Sequence, residues 1–205
     1  MGAFRDQLEH IASRGEVVNT LFEERLYSLV SIVHRIADAL AEESVPYELV
    51  GGLAVLIYLE AADPSQSTLT RDVDVMIHRP DLDKVKKIAA KHGFSFRHAA
   101  GLDMLVAGTP ETARNAVHLV YSGEKVRDAQ AIPNPFIRPD KRTLQGREVA
   151  VIALEDLIRM KLSANRDKDR VHVRAMDAAG LINAQIERSL PGELQTRLRH
   201  IRETE

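Results

Sequence analysis

Two carboxylates one residue apart give the clearest chemical signal in the sequence. Asp72 and Asp74 lie in the segment 70–77, TRDVDVMI, which becomes apolar and β-type from Val73 onward. Side chains alternate along a strand, so both acids project from one face, while Arg71 projects from the other. Two like charges beside an apolar core are costly unless a cation neutralises them. The pair predicts a magnesium site, because Mg²⁺ binds carboxylates together with substrate phosphates.

A diglycine upstream of the two acids gives the second signal. Gly51 and Gly52 follow the apolar Leu49-Val50 and precede the helical run 53–59. Glycine lets the backbone approach a ligand closely, and the amides of a helix N-terminus stabilise an anion. The order strand, diglycine, helix and then Asp-x-Asp on the next strand indicates metal-dependent handling of nucleotide phosphates. The alternatives are a tight turn without a ligand and a strand end where two acids only face water.

A basic stretch near the C-terminus is the candidate partner for phosphates. Residues 157–174 contain six basic residues and two acids, although such a run is also typical of a solvated helix face. Lys161, Asn165, Lys168 and His172 would share one face if this helix were continuous. Lys161 stands between apolar neighbours, so its stem could be buried with its ammonium directed into a cleft.

Composition excludes several other classes. The chain has 205 residues, a net charge of −2 and no cysteine, which excludes disulfides, thiol catalysis and cysteine-ligated zinc. No GxGxxG, GxxxxGK[ST], GxSxG or HExxH motif occurs, against Rossmann, P-loop, serine-hydrolase and HExxH-type zinc-peptidase interpretations. No signal peptide or membrane-spanning run is evident. We therefore expect a cytoplasmic protein without a membrane partner.

The elements that must position these residues follow from periodicity and turn residues. Three parts are predicted: an N-terminal helical segment at 1–45, a core sheet domain at 46–152 and a helical C-terminal part at 153–205. Strands are expected at 47–50, 73–77, 94–97, 104–107, 117–121 and 148–152. Residues 1–44 are expected to be helical, and Gly51-Gly52 is expected to be the turn into a helix that ends near 61–62. Further helices are expected at 82–91, 154–164, 167–179 and 192–203. Segment 127–147, which contains three prolines, is expected to be mostly irregular.

Two motifs in this order resemble a known superfamily. Segments 50–54, VGGLA, and 70–74, TRDVD, resemble the signature of the DNA polymerase β-like nucleotidyltransferases. Residues 157–169, LIRMKLSANRDKD, are similar to the Lys-Leu-x-Ala-x-Arg-x-Lys-Asp segment of the AbiEii/AbiGii-type toxin nucleotidyltransferases. The resemblance spans residues 47 to about 180. It implies an α/β (α+β) fold, with a mixed-sheet nucleotidyltransferase core flanked by helices and a helical C-terminal part.

The resemblance also implies an activity. Such enzymes transfer a nucleoside monophosphate from an NTP to an acceptor hydroxyl, using Mg²⁺ or alternatively Mn²⁺. The toxin members act on RNA (tRNA) or on protein, which implies a toxin–antitoxin pair and an antitoxin partner. Asp72 and Asp74 would be the catalytic metal ligands. The nucleotide-binding residues would be Gly51, Gly52, Thr70, Arg71, Lys161, Arg166, Lys168 and Asp169.

Two departures from the superfamily pattern qualify this expectation. A third carboxylate is normally found on a later strand, where this sequence presents His118. His118 is then a base, a metal ligand or an ordinary strand histidine, and Glu124 is the alternative carboxylate if the register differs. His172 replaces an acid often found three residues after the Lys-Asp pair. The alternative function is a catalytically weak member that binds nucleotide or a partner as a regulator.

Overall fold

A computed structural model of the protein describes residues 24, 26–67, 70, 72–108 and 116–204, and all structural statements below concern this part of the chain. The helix predicted for the first 44 residues is observed at residue 24 and over 26–42 (α1). The earlier part of that prediction, and Arg71, lie outside the described residues.

A mixed β-sheet forms the centre of the fold. Its strands are β1 Tyr47–Val50, β2 Val73–Ile77, β3 Phe94–Ala99, β4 Leu102–Ala107, β5 Ala116–Tyr121, β6 Asp140–Leu144 and β7 Arg147–Val151. Within the described residues they lie in the order β3-β4-β5-β2-β1-β7-β6. β1 is antiparallel to β2 and parallel to β7, whereas β2 is parallel to β5. This arrangement confirms the predicted mixed-sheet α/β fold.

Helices complete the fold and cover the sheet. They are α2 Gly51–Ala62, α3 Leu82–Lys91, α4 Leu154–Ala164, α5 Asp167–Ala178, α6 Ala184–Ser189 and α7 Gly192–Glu203. α1 buries Leu29, Val33, Ile36 and Leu40, spaced by three or four residues, in the same apolar core as the sheet. Burial of one such side chain stabilises the fold by about 1.5–3 kcal/mol. The core therefore joins all three predicted parts of the chain, and their boundaries stay predictions.

Two elements of the structure, β6 and α6, were not predicted from the sequence. β6 lies inside the segment expected to be irregular, where it pairs antiparallel with β7 from Asp140 opposite Val151 to Leu144 opposite Arg147. Its sequence, DKRTL, carries no apolar alternation because it is an edge strand with exposed residues along it. α6 has only six residues and begins after Asn183, whose side chain accepts hydrogen bonds from the amides of Gln185 and Ile186.

The central strands bring the predicted site residues together. In the register of β1 and β2, Val50 lies opposite Asp74, and in that of β2 and β5, Asp74 lies opposite His118. Gly51 directly follows β1 and begins α2, so the diglycine and the acids meet at one end of these strands. None of the helices in the described part of the chain combines the length and apolar character that a bilayer crossing requires.

Candidate active site

A cleft of about 290 Å³ opens where the central strands meet the C-terminal helices. On the sheet side it is lined by Gly51, Asp72, Asp74 and His118. On the other side its wall comes from α4, α5 and the residues between them. A loop that follows β5, residues 126–134, contributes a third wall. Residues that are far apart in the sequence thus face a single space.

Gly51 permits a contact that no other residue would allow. Its φ angle is +72°, and a Cβ atom at this position would lie 1.8 Å from Oδ2 of Asp74. A side chain is therefore excluded twice, by the left-handed backbone and by the carboxylate. The residue before α2, Val50, provides no side-chain cap, and the first turn of α2 contains no acid. The N-terminus of α2 is thus left without a capping group beside the cleft, where its amides can bind an anion.

Gly52 is packed just as closely. A Cβ atom at this position would lie 2.6 Å from Oγ1 of Thr70 and 3.6 Å from Cε1 of His172. Thr70 is buried, and its hydroxyl donates to the backbone oxygen of Asp72 over 3.3 Å. Thr70 therefore supports the diglycine turn and the approach to β2, and is absent from the cleft lining.

The two acids differ in their contacts. Oδ1 of Asp74 accepts a hydrogen bond from Nδ1 of His118 over 3.2 Å. Among the described residues, the carboxylate of Asp72 forms no hydrogen bond or ion pair. The bond to Asp74 raises the pKa of His118 above its usual value; burial opposes this effect, whereas the charges of Asp74 and Asp72 add to it. Half-buried acids with free oxygens are the ligands that Mg²⁺ takes in ones and twos, together with waters and phosphates.

The third carboxylate expected from the superfamily does not occur in the described part of the chain. No group of three or more His, Cys, Asp or Glu side chains there is arranged to hold a metal ion. Glu124 is not in the cleft lining, and it instead accepts hydrogen bonds of 2.6 and 2.5 Å from the Arg79 guanidinium. The donor set thus fits an ion that needs two carboxylates and not one that needs a complete protein cage.

The basic wall of the cleft is organised by Asp169. This acid is fully buried, and its carboxylate accepts hydrogen bonds from Nζ of Lys161 over 3.2 Å and from Nε of Arg166 over 2.6 Å. Although burial raises the pKa of Asp169, the bonds from Arg166 and the charge of Lys161 hold it below its usual value. Burial lowers the pKa of Lys161, against the charges of Asp169 and Asp74. Lys168 also lines the cleft.

This segment forms two helices, as the predicted bounds 154–164 and 167–179 imply, so the condition of one continuous helix is not met. Asn165 has a left-handed backbone with φ 48° and ends α4, and α5 starts two residues later. Lys161, Asn165, Lys168 and His172 therefore do not share the face of one helix. Lys161 still reaches the cleft, because the break folds α5 against α4 and brings Asp169 to the Lys161 ammonium.

His172 lies next to the diglycine turn and does not line the cleft. Its Nδ1 is buried, with no hydrogen-bond partner among the described residues. Burial, assisted by the charge of Lys161, lowers the pKa of His172 to about 4. A neutral imidazole therefore occupies this position at physiological pH.

Comparison with known proteins identifies the fold. No protein-family profile and no curated protein matches this chain. A structure of an antigenic nucleotidyltransferase-like protein from Paracoccidioides brasiliensis has a TM-score of 0.56 and 19% identity, and the match covers 86% of this chain and 88% of that one. The solution structure of the antibiotic-resistance factor ANT(2'')-Ia has a TM-score of 0.53 and 13% identity, with coverage of 85% and 91%.

A crystal structure of ANT(2'')-Ia in complex with adenylyl-2''-tobramycin is also similar, with a TM-score of 0.51, 13% identity and coverage of 85% of this chain and 97% of that one. This chain has a nucleotidyltransferase fold. The narrower resemblance of residues 157–169 to the AbiEii/AbiGii-type toxins stays a prediction.

One wall of the cleft, the loop of residues 126–134, was not predicted from the sequence. The loop wall is attached to α4 through Ser163, whose hydroxyl donates to the Ile132 oxygen and accepts from its amide, both at 2.9 Å. Within the loop, the Gln130 side chain accepts from the amides of Val126 and Arg127. In the sequence, the loop residues are not distinguished from those of an ordinary surface loop. The signal available was Ser163, a polar residue between the apolar Leu162 and Ala164 of the predicted helix.

Proposed function

We propose that this protein is a magnesium-dependent nucleotidyltransferase, which transfers NMP from an NTP to an acceptor hydroxyl and releases pyrophosphate. The observation that carries the proposal is the convergence of two partly free acids, an uncapped helix N-terminus and a basic wall on one cleft. The nucleotidyltransferase fold supports it.

Asp72 and Asp74 would hold Mg²⁺, or alternatively Mn²⁺. Once bound, such an ion neutralises phosphate charge and aligns the attacking and leaving oxygens. The chain itself fixes the orientation of Asp74, because the Gly51 backbone lies against one carboxylate oxygen and His118 donates to the other. A carboxylate held from both sides needs little reordering when the ion arrives.

The triphosphate would lie between the N-terminus of α2 and the basic wall. Gly51 and Gly52 would offer backbone amides, and Lys161, Arg166 and Lys168 would supply positive charge from the opposite side. Asp169 would act through Lys161 and Arg166, since its oxygens already accept from both. Thr70 would support the turn, and Arg71 is retained as a proposed nucleotide-binding residue.

His118 would act at the acceptor hydroxyl or at the ion. It lies opposite Asp74 in the register of β2 and β5 and lines the cleft. This is the position at which the resemblance leads us to expect the third carboxylate. An imidazole here could receive the proton of the acceptor hydroxyl or contribute one neutral ligand.

The similarity of residues 157–169 to the AbiEii/AbiGii-type toxins supports a narrower version of the proposal. The acceptor hydroxyl would then belong to RNA, in particular tRNA, or to a protein. The protein would act in the cytoplasm as the toxin of a toxin–antitoxin pair, with an antitoxin as its partner.

A second candidate function is a regulator that binds nucleotide without transferring it. The observation that favours this function is the imidazole of His118 in place of a third carboxylate. A site with two carboxylates would still bind Mg²⁺·NTP, but it would stabilise the transferred group less well than a site with three carboxylates.

The experiment uses the whole chain, Mg²⁺ and each α-labelled NTP, with RNA, protein and small hydroxyl compounds as acceptors. We expect label transfer that falls at least about a hundredfold in Asp72→Ala/Asp74→Ala, because loss of the ion removes several kcal/mol of charge stabilisation. Asp83→Ala, on the solvent-facing side of α3, is the control, since the Asp83 side chain is 87% exposed.

The melting temperature with Mg²⁺ and NTP separates the two candidates. An increase without transfer to any acceptor would favour the regulator. No increase with any NTP would refute both.

A further inference from the structure

The cleft differs in charge along its length. The charged side chains that line it in the described part of the chain belong to the two acids and the basic wall, with the exception of Arg127 on the loop. Another part of the lining is apolar and comes from Leu102, Val120, Val126, Ala129 and Met160. We call this part the apolar end. A ligand there contacts uncharged side chains of the sheet, the loop and α4.

The strand register gives the position of the apolar end. Val120 follows His118 by two residues on β5, so both side chains project from the same face of the sheet. Leu102 precedes Met104 by two residues on β4, and Met104 pairs with His118, so Leu102 lies on that face as well. Val120 is about 7 Å from His118 along the strand, in the direction away from the diglycine. The order from the N-terminus of α2 is therefore the two acids, His118 and then the apolar end.

The amide side chains that line the apolar end are used inside the loop. The Gln130 side chain accepts from the amides of Val126 and Arg127, and its own amide group donates to Oδ1 of Asn134 over 3.4 Å. Nδ2 of Asn134 donates to the backbone oxygen of Tyr121 over 3.0 Å. The guanidinium of Arg127 is exposed on the loop. Little hydrogen-bonding capacity is thus left at the apolar end for a polar ligand.

The geometry of transfer determines which reactant faces the apolar end. The attacking and leaving oxygens are roughly in line at the transferred phosphorus. With the pyrophosphate at the N-terminus of α2 and the basic wall, the attacking hydroxyl must come from the side of His118. Its oxygen forms a bond to the α-phosphorus, the bond to the bridging oxygen breaks, the pyrophosphate leaves with the electron pair, and the hydroxyl proton passes to His118. The nucleoside is attached through an equatorial oxygen and therefore extends to the side of this line.

We propose that the apolar end is the acceptor subsite, and that the acceptor is a small, uncharged molecule whose hydroxyl is carried on an apolar body. The proposal rests on the proposed function, which places the NTP at the other end of the cleft, and it names an acceptor class other than the RNA or protein of the toxins. RNA is disfavoured because each nucleotide brings a phosphate, whereas Arg127 is the single cation at this end among the described residues. A peptide is disfavoured because its backbone amides would lose water without gaining partners.

The binding experiment uses the whole chain with Mg²⁺ and a non-hydrolysable NTP, and follows methyl NMR signals. Benzyl alcohol is the apolar probe, glycerol carries hydroxyls without an apolar body, and glucosamine carries hydroxyls with a positive charge. We expect benzyl alcohol to shift the methyl signals of Leu102, Val120 and Met160, and the other two probes to leave them unchanged at the same concentration. Saturation with the NTP should not raise the Kd of benzyl alcohol, because the two ligands occupy different ends of the cleft.

Variants assign the effect to the apolar end. Val120→Thr replaces one methyl group by a hydroxyl in a residue type that favours strands, and it should weaken binding of benzyl alcohol about three- to tenfold. Leu102→Thr tests the same face from β4 and serves if Val120→Thr does not fold. Val171 on α5 is 49% exposed and lies outside the cleft lining, so Val171→Thr should bind like wild type. In an active enzyme, Val120→Thr should raise KM for an apolar alcohol and leave KM for the NTP unchanged.

The proposal would be overturned by equal binding of benzyl alcohol and glycerol, by unchanged binding in both cleft variants, or by NTP-dependent labelling of RNA or protein but of no alkyl or aryl alcohol. Competition between benzyl alcohol and the NTP would also overturn it, because the nucleobase would then occupy the apolar end. The proposed function fails separately. If Mg²⁺·NTP gives no stabilisation but benzyl alcohol still binds beside Val120, the apolar end is a binding site and the transferase assignment is wrong.

Discussion

Replacement of Gly51 by alanine tests the geometry on which the candidate site depends. The new Cβ would lie 1.8 Å from Oδ2 of Asp74, and real Cβ contacts are essentially never shorter than 3.0 Å. The carboxylate must therefore move by more than about 1 Å, away from its bond to His118. A displacement of this size in a reacting group lowers the reaction rate about a hundredfold. The left-handed backbone adds about 1–2 kcal/mol of strain.

We expect Gly51→Ala to slow Mg²⁺-dependent label transfer from NTP by about a hundredfold, and to weaken Mg²⁺-dependent NTP binding in isothermal titration calorimetry. Gly180→Ala provides the matched control, because Gly180 has the same φ of +72° and an added Cβ there would meet nothing within 4 Å. That variant should lose about 1–2 kcal/mol of unfolding free energy and bind NTP normally. Normal binding by Gly51→Ala, or an equal loss in both variants, would refute the role given to the Gly51–Asp74 contact.

Two further predictions concern buried charges. Asp169→Asn leaves Lys161 and Arg166 without their shared carboxylate. It should lower the free energy of unfolding in urea by about 3–5 kcal/mol and weaken NTP binding. An unchanged stability would show that the Lys161–Asp169 ion pair is not buried in solution. Burial raises the pKa of Glu48 to about 7, so the folded state keeps a proton that the unfolded chain loses, and stability falls as pH rises from about 4.5 to 7. The lowered pKa of His172, about 4, acts with the opposite sign, since the unfolded chain binds the proton first and stability falls as pH drops from about 6.5 to 4. The effects of Glu48 and His172 oppose each other, so removal of the first by Glu48→Gln should leave that of His172. The free energy of unfolding should then rise with pH by up to about 1.4 kcal/mol per pH unit. A pH profile equal to that of the wild type would count against the burial of Glu48.

The sheet side of the site could be predicted because short-range rules determine it. Alternation along β2 places two acids on one face, and a diglycine between a strand and a helix indicates the turn. The predicted strand limits 47–50 and 73–77 agree with β1 and β2. The register that brings Asp74 opposite His118 could not be derived from either strand alone, because it depends on how β2 and β5 pair.

On the helical side the two helices could be predicted, but the way in which they pack together could not. The predicted bounds 154–164 and 167–179 leave Asn165 between the helices, where it adopts φ 48° and separates α4 from α5. Asn is among the residues that tolerate the left-handed region, so this break had a signal.

The separation of charge across the cleft explains how one space can take both a cation and a polyanion. Lys161 is close enough to Asp74 for the two charges to interact, yet its hydrogen bond goes to Asp169. If Lys161 bonded to Asp74 directly, the ammonium would neutralise the carboxylate and occupy the place proposed for the metal ion. Asp169 prevents this by satisfying Lys161 and Arg166 from behind, at the cost of a buried carboxylate that three charges together can sustain. Asp72 and Asp74 thereby stay available for a cation on one wall, while the basic wall keeps a net positive charge toward phosphate.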